Sequence, residues 1–171
     1  MPNRLSISLW LKSRDEDSLL EAFHKLLEIF PYSPRRWGVQ AVTVHPLDWS
    51  EPAAMERHFP EGATATECLE AVREFQHPDC AYQALVFWDV GGQALPVEII
   101  AYGPDFEGHD QEQGHVELDI GPDTPYRASR ENIIQIVFLM HELPKHLKLH
   151  KRLLWAESGG DVSELLARTI Q

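Results

Sequence analysis

Apolar and polar residues alternate most regularly in the middle of the chain, between residues 80 and 122. Two apolar runs there are separated by Gly91-Gly92. A two-glycine loop between strand-like runs predicts a β-hairpin, because a type I′ turn needs positive φ at both central positions. With Val90 opposite Gln93, the next four cross-strand pairs are apolar or aromatic on both strands: Trp88 with Leu95, Val86 with Val97, Ala84 with Ile99 and Tyr82 with Ala101. This face is predicted to be buried. A shift of one residue would exchange the two faces, so the pattern also predicts the register.

A third run is predicted to be a half-buried strand. Its polar and apolar residues alternate in the order His115, Val116, Glu117, Leu118, Asp119 and Ile120. A period of two is typical of a strand with one buried face. The polar connection from Gly103 to Gly114 separates this strand from the hairpin, and loops of this length are more often functional or mobile than silent.

The N-terminal half predicts two more strands and two helices. Leu5 to Leu11 and Trp37 to Val44 have strand character. Ser13 with Glu16, and Thr64 with Glu67, have the spacing of a capping box, and each pair precedes an apolar stripe of helical period. A short helix from Ala53 to His58 is a weaker prediction.

The C-terminal part predicts a deep helix and a short strand. Ile133 to Met140 is apolar nearly all round, which favours a buried helix, although its β-branched residues make a strand the competing interpretation. Leu153 to Ala156 is predicted to be a last strand, and Asp161 is predicted to cap a short terminal helix.

These elements follow the order β-α-β-α-β-β-β-α, with a further β-α pair expected at the end. We expect an α+β fold, with one mixed, largely antiparallel sheet of five or six strands and helices packed mainly on one face. No repeat, low-complexity segment or composition shift marks a linker, so residues 1–171 are predicted to form a single domain.

The distribution of charge is the main functional clue. The formal net charge is −12, and the segment from Glu74 to Tyr126 holds eleven acidic residues and no Lys or Arg. Six basic residues follow between Arg127 and Arg152. Direct binding to a nucleic-acid backbone through the acidic region is electrostatically unfavourable. A basic protein or a cation would be attracted instead.

Cysteine usage and hydropathy indicate a cytoplasmic protein. Cys68 and Cys80 are the two cysteines, and their spacing fits neither a zinc finger nor a redox pair. The longest apolar run, Ile133 to Met140, is well short of a membrane span, and no secretory signal is recognised at the N-terminus. No nucleotide-binding motif occurs, so no cofactor is expected.

The leading functional hypothesis is a non-enzymatic domain that binds a basic protein, as an immunity or inhibitor-type protein would. Charge complementarity would steer the partner, and exposed aromatic residues would supply buried contact, with Phe87 and Phe106 as further aromatic candidates. The predicted partner-binding residues are Glu98, Asp105, Glu107, Asp110, Glu117, Asp119, Trp10 and Trp49.

Two alternatives stay open. A metal-dependent, hydrolase-like enzyme would use His109, His115, Glu117 and Asp119 as ligands, because imidazole and carboxylate groups on one strand face suit zinc, manganese or iron. In a structural or oligomeric component, the charge would serve only solubility. The balance of motifs leans away from an enzyme, because no nucleophile elbow or zincin helix is present.

Overall fold

The structure is a computed structural model that describes residues 4–109 and 113–156 of the 171-residue chain. Its strands are β1 (Arg4–Leu11), β2 (Val39–Pro46), β3 (Met55–Ala63), β4 (Cys80–Val90), β5 (Gln93–Tyr102), β6 (Val116–Pro122) and β7 (Leu149–Ala156). Its helices are α1 (Glu16–Ile29), α2 (Ala65–Arg73), α3 (Thr124–Arg127) and α4 (Arg130–Glu142), and a 3-10 helix spans Leu143–His146.

All strand pairs in the described residues are antiparallel, and they form one sheet in the order β3-β2-β4-β5-β6-β1-β7. The α+β fold predicted from the sequence is therefore confirmed, with seven strands in place of five or six. β3 is the strand that the sequence did not predict, and it lies where a short helix from Ala53 to His58 was expected. Pairing along the edge of β2, with Arg57 opposite Val42, outweighs the weak local helix preference.

The hairpin of β4 and β5 has the predicted register. Val90 pairs with Gln93, and the pairing continues without a shift to Ala81 and Tyr102. Gly91 and Gly92 have φ values of 59° and 80°, which glycine adopts without strain. β6 adds to β5 with Ile99 opposite Leu118, so the third predicted strand is confirmed as well.

The helices pack on the inner face of the sheet. One core cluster combines inward residues of the strands, such as Val86, Ile99 and Leu118, with buried residues of the helices, which include Phe23, Val72, Tyr126 and Ile136. The outer face carries a much smaller apolar cluster within the described residues, made of Ala81, Tyr102 and Phe106 with Ile100 packed against it. The two faces of the sheet therefore have different surroundings.

The caps of the first two helices differ in how well the sequence predicted them. At α2, Thr64 accepts a hydrogen bond from the Glu67 backbone N–H at 3.1 Å, as the capping box predicts. At α1, the predicted cap Ser13 is wrong. Asp15 accepts from the Ser18 N–H at 2.8 Å, and the Ser13 hydroxyl donates to Asp15 instead. A carboxylate two residues nearer the helix satisfies the free N–H better.

α4 is a helix, as its apolar content suggested, but the expected all-round burial is wrong. Its buried side includes Ile136, Leu139 and Met140, whereas Ile134 and Phe138 are 40% and 58% exposed. The helix packs through one face only.

β7 begins four residues before the predicted strand at Leu153, and the predicted terminal helix at Asp161 lies outside the described residues. No helix in the described part of the chain is long and apolar enough to cross a membrane.

Candidate functional site

Three of the predicted carboxylates lie side by side on the outer face of the sheet. Alternation along β5 and β6 turns Glu98, Glu117 and Asp119 away from the helices, while their neighbours Val97, Ile99, Leu118 and the other inward residues enter the core. Glu98 is directly opposite Asp119, and Glu117 is opposite Ile100. Like charges that face each other across strands are destabilising unless something offsets them. We call Glu98, Glu117 and Asp119 the acidic patch.

The negative charge of Asp119 is offset by the guanidinium group of Arg4. Arg4 Nη2 donates to both carboxylate oxygens, at 3.1 Å to Oδ1 and 3.0 Å to Oδ2. The backbone N–H of Gly121 donates to Oδ1 at 3.0 Å. Asp119 therefore has a structural role within the fold in addition to its charge.

Glu98 is held by a hydrogen-bond chain that crosses three strands. Gln83 Nε2 donates to Glu98 Oε2 at 2.6 Å. The carbonyl of the same amide, Oε1, lies 2.7 Å from His45 Nε2, so that ring nitrogen carries the proton. The amide orients Glu98 but leaves its negative charge in place.

Glu117 is the least compensated member of the acidic patch. Its Oε1 atom is closed off from solvent and has no hydrogen-bond partner in the described residues. Burial, with the nearby Asp119 charge adding to it and the Tyr102 hydroxyl opposing it, raises the pKa of Glu117 to about 7. Burial, followed by the Glu117 carboxylate, also raises the pKa of Tyr102 above its ordinary value. Near neutral pH, Glu117 is poised between its charged and neutral forms.

An aromatic platform borders the acidic patch. Trp49 meets Phe106 edge to face with ring centroids 5.1 Å apart, and it contacts His45 at 4.7 Å and Tyr102 at 6.1 Å. Trp49 is 45% exposed, whereas Phe106 is buried. The indole is thus fixed on one side and open on the other.

The other predicted contact residues that the structure describes lie in several different places. Asp105 and Glu107 are exposed in the loop after β5, and the Glu107 N–H donates to the Leu47 carbonyl at 2.8 Å. This bond ties the loop to the segment that carries Trp49. Trp10 lies on the outer face of β1 with Lys151 Nζ 4.8 Å from its ring centroid, and Asp110 lies outside the described residues. The suggested contact residue Phe87 is buried beneath Arg36, whose guanidinium lies 3.8 Å from the ring centroid.

The two histidines of the metal hypothesis lie near each other at the end of this face, with ring centroids 6.4 Å apart. His109 Nδ1 is 3.2 Å from Arg14 Nη2 and accepts from it, so Nε2 carries the proton and is placed to donate to the Gln113 and Gly114 carbonyls. His115 Nδ1 accepts from the Leu11 N–H at 3.0 Å. Burial, then the charge of Arg14, lowers the pKa of His115 to about 4.

These bonds bear directly on the metal hypothesis. Within residues 4–109 and 113–156, no group of three or more His, Cys, Asp or Glu side chains is arranged to hold a metal ion. His109 would have to give up its contacts with Arg14 and the two carbonyls to become a ligand. A site at His109, His115, Glu117 and Asp119 stays a prediction. It is tested by elemental analysis of purified protein beside a His115→Ala variant.

Several residues of this region were missed by sequence reasoning. Arg4 and Arg14 reach it from the first strand and the loop that follows, and no local pattern links them to residues more than 80 positions away. Gln83 did have a signal. The predicted hairpin register puts it opposite Ile100, diagonal to Glu98, and an amide beside a carboxylate is a natural donor.

The comparisons with known proteins give no relative for this chain. No family model matches it, and no curated protein or solved structure matches it either.

Proposed function

We propose that this protein is a non-enzymatic, cytoplasmic interaction domain that binds a basic protein through the outer face of its sheet. The acidic patch supplies the charge, and the Trp49 platform supplies aromatic contact. An immunity or inhibitor-type protein that blocks a basic toxin or nuclease is the concrete form of this proposal.

The observation that carries the proposal is the incomplete neutralisation of the acidic patch. Three carboxylates occupy adjacent positions on two strands, and Arg4 forms the one ion pair made to them by the described residues. A fold selected for stability alone would gain by replacing Glu117 with an apolar or amide side chain, because its ionised carboxylate has one buried oxygen unpaired and forms no ion pair with the described residues. A Lys or Arg of a partner would remove this cost on binding.

The neighbouring platform fits the same kind of partner. Trp49 is 45% exposed and packs against three neighbouring rings, and interface energy concentrates on rigid aromatic residues of this type. A guanidinium or ammonium group is also attracted to an indole face. The exposed carboxylates of Asp105 and Glu107 extend the negative field around the platform.

A charge-matched binding experiment tests the proposal. The probe is a fluorescein-labelled peptide of alternating Lys and Trp, titrated at low salt and at about pH 8, above the pKa of about 7 of Glu117. The test variant is Glu98→Gln/Glu117→Gln, and the control variant is Glu67→Gln/Glu70→Gln on the exposed side of α2. Both variants lose two negative charges, so their net charges are equal.

We expect the test variant to bind the peptide about tenfold more weakly than the wild type, which corresponds to about 1.4 kcal/mol, and the control to bind nearly as the wild type does. Wild-type affinity should rise as pH increases through about 7, because the cation binds the ionised form of Glu117. Equal weakening in both variants would mean that the peptide senses only net charge, and the proposal would then be rejected.

A further inference from the structure

A cleft on the opposite side of the molecule has the reverse electrostatic character. It has a volume of about 470 Å³ and lies between the outward side of α1, the end of β1 and the start of β7. This volume is within the range of about 300–1,000 Å³ that is typical of small-molecule sites. Because α1 packs on the inner face of the sheet, the cleft is separate from the acidic patch.

The walls of the cleft are rich in cations. Lys12, Lys25 and Lys148 line it, and none of their ammonium groups forms an ion pair with the described residues. The backbone N–H of Lys12 donates to the Lys148 carbonyl at 3.0 Å, so the ends of two strands hold these two residues next to each other. Unpaired like charges at fixed neighbouring positions favour an anion between them.

The negative groups in the cleft are fewer than the positive ones. Glu21 and Glu28 are its two lining carboxylates, against three lysines, and Glu28 lies 3.4 Å from His24. Two other grooves in the described residues differ in this respect. One has Arg57 beside Glu67, Glu70 and Glu74, and the other has Arg73 beside Asp17 and Glu21. An excess of lysines in a protein of net charge −12 therefore singles out this cleft.

The floor of the cleft is apolar. Leu11 and Ala22 are buried and Leu147 is partly buried against the core. Ser13 and Ser18 also line the cleft, but their hydroxyls donate to Asp15 and so are already engaged. Beside two carboxylates and two histidines, the cleft thus offers an apolar floor and three ammonium groups.

We propose that this cleft binds a small organic anion, one with an apolar body that lies on Leu11, Ala22 and Leu147 and an acidic group that contacts the lysines. The acidic group is a carboxylate or a phosphate, and ammonium groups bind both as point charges. This site is independent of the basic partner proposed for the outer face.

The test uses 2-naphthoate as the probe and 2-naphthamide as its neutral counterpart. Titration of ¹⁵N-labelled full-length protein by NMR should give saturable shifts for naphthoate at the amides of Ala22, Lys25 and Lys148. Naphthamide should bind at least tenfold more weakly, because it lacks the charge. Inorganic phosphate, which lacks the apolar body, should also bind at least tenfold more weakly.

Matched variants separate a specific site from general attraction. Lys25→Gln/Lys148→Gln should weaken naphthoate binding at least tenfold, whereas the control Lys145→Gln/Lys151→Gln, with the same net charge and no residue in the cleft, should not change it. Glu21→Gln should tighten binding, since it removes one of the two lining carboxylates. The proposal is overturned if the control weakens binding as much as the test variant, if naphthamide or phosphate binds as well as naphthoate, or if the shifts fall on Glu98 and Glu117.

Discussion

The inner and outer faces of the sheet use alternate residues of the same strands, yet different interactions hold them. On β6, Val116, Leu118 and Ile120 are buried among the helices. The residues between them, Glu117 and Asp119, contact a hydroxyl, a guanidinium and a backbone N–H. The inner face is stabilised by apolar burial without specific partners, whereas the outer face depends on individual polar contacts. The first arrangement stabilises the fold through burial, and the second keeps three carboxylates on the outer face.

Truncation of two adjacent residues, one on each face, should give the largest difference in lost unfolding free energy. Leu118→Ala removes a fully buried side chain and should cost about 3 kcal/mol of unfolding free energy, through lost transfer energy and a cavity. Asp119→Ala removes a partly exposed ion pair and one backbone contact, and it should cost about 1 kcal/mol. Urea denaturation measures both. Equal costs would contradict the distinction between the faces.

The ionisation of Glu117 should have the next largest effect on the free energy of unfolding. The pKa of Glu117 is raised to about 7 in the folded protein, so the carboxyl releases its proton at a lower pH in the unfolded chain than in the folded one. The wild type therefore loses stability as pH rises from about 4.5 to 7. Glu117→Gln removes this loss. The variant should be more stable than the wild type by an amount on the order of 2 kcal/mol at about pH 8, and the difference should vanish near pH 4. Chemical denaturation across this pH range is the measurement, and a constant difference would refute the prediction.

His115 should show a smaller effect of opposite sign. Its pKa is lowered to about 4, so the unfolded chain takes up a proton first, and stability is lost as pH falls from about 6.5 to 4. His115→Asn keeps an acceptor for the Leu11 N–H and removes this dependence. Both proteins are compared in a Glu117→Gln background, because the pH dependence that comes from Glu117 would otherwise offset the one that comes from His115. With allowance for partial exposure, the protein that keeps His115 should lose about 1 kcal/mol of unfolding free energy over this range. A variant with the same acid sensitivity as its parent would disprove this assignment.

The fold was accessible from the sequence wherever side-chain period and local turn chemistry decide the structure. The hairpin at Gly91-Gly92 has one register that buries an apolar face, and the structure adopts it. β3 escaped prediction because its sequence has little alternation and only its pairing with β2 makes it a strand. The cap of α1 was misplaced because Ser13 and Asp15 both offer oxygens, and the carboxylate of Asp15, directly before the helix, accepts the free N–H.

The candidate site was accessible in part. Alternation along β6 placed Glu117 and Asp119 on one face of that strand, and the hairpin register placed Glu98 on the outer face of β5. The pairing of β5 with β6 determines that Glu98 faces Asp119, and no local pattern encodes that pairing. Arg4, which is 115 residues from Asp119, could not be assigned as its partner for the same reason. Local periodicity assigns faces, whereas contacts between distant segments depend on the whole fold.

The central claim is that the outer face recognises basic groups, and an NMR titration tests it most directly. Amide shifts are mapped while the Lys-Trp peptide is added to ¹⁵N-labelled wild-type protein at low salt. The claim predicts that the largest shifts fall at Glu98, Glu117, Asp119 and the Trp49 indole, and that they diminish as salt is raised. Shifts centred on the exposed glutamates of α2, with the acidic patch unaffected, would contradict it.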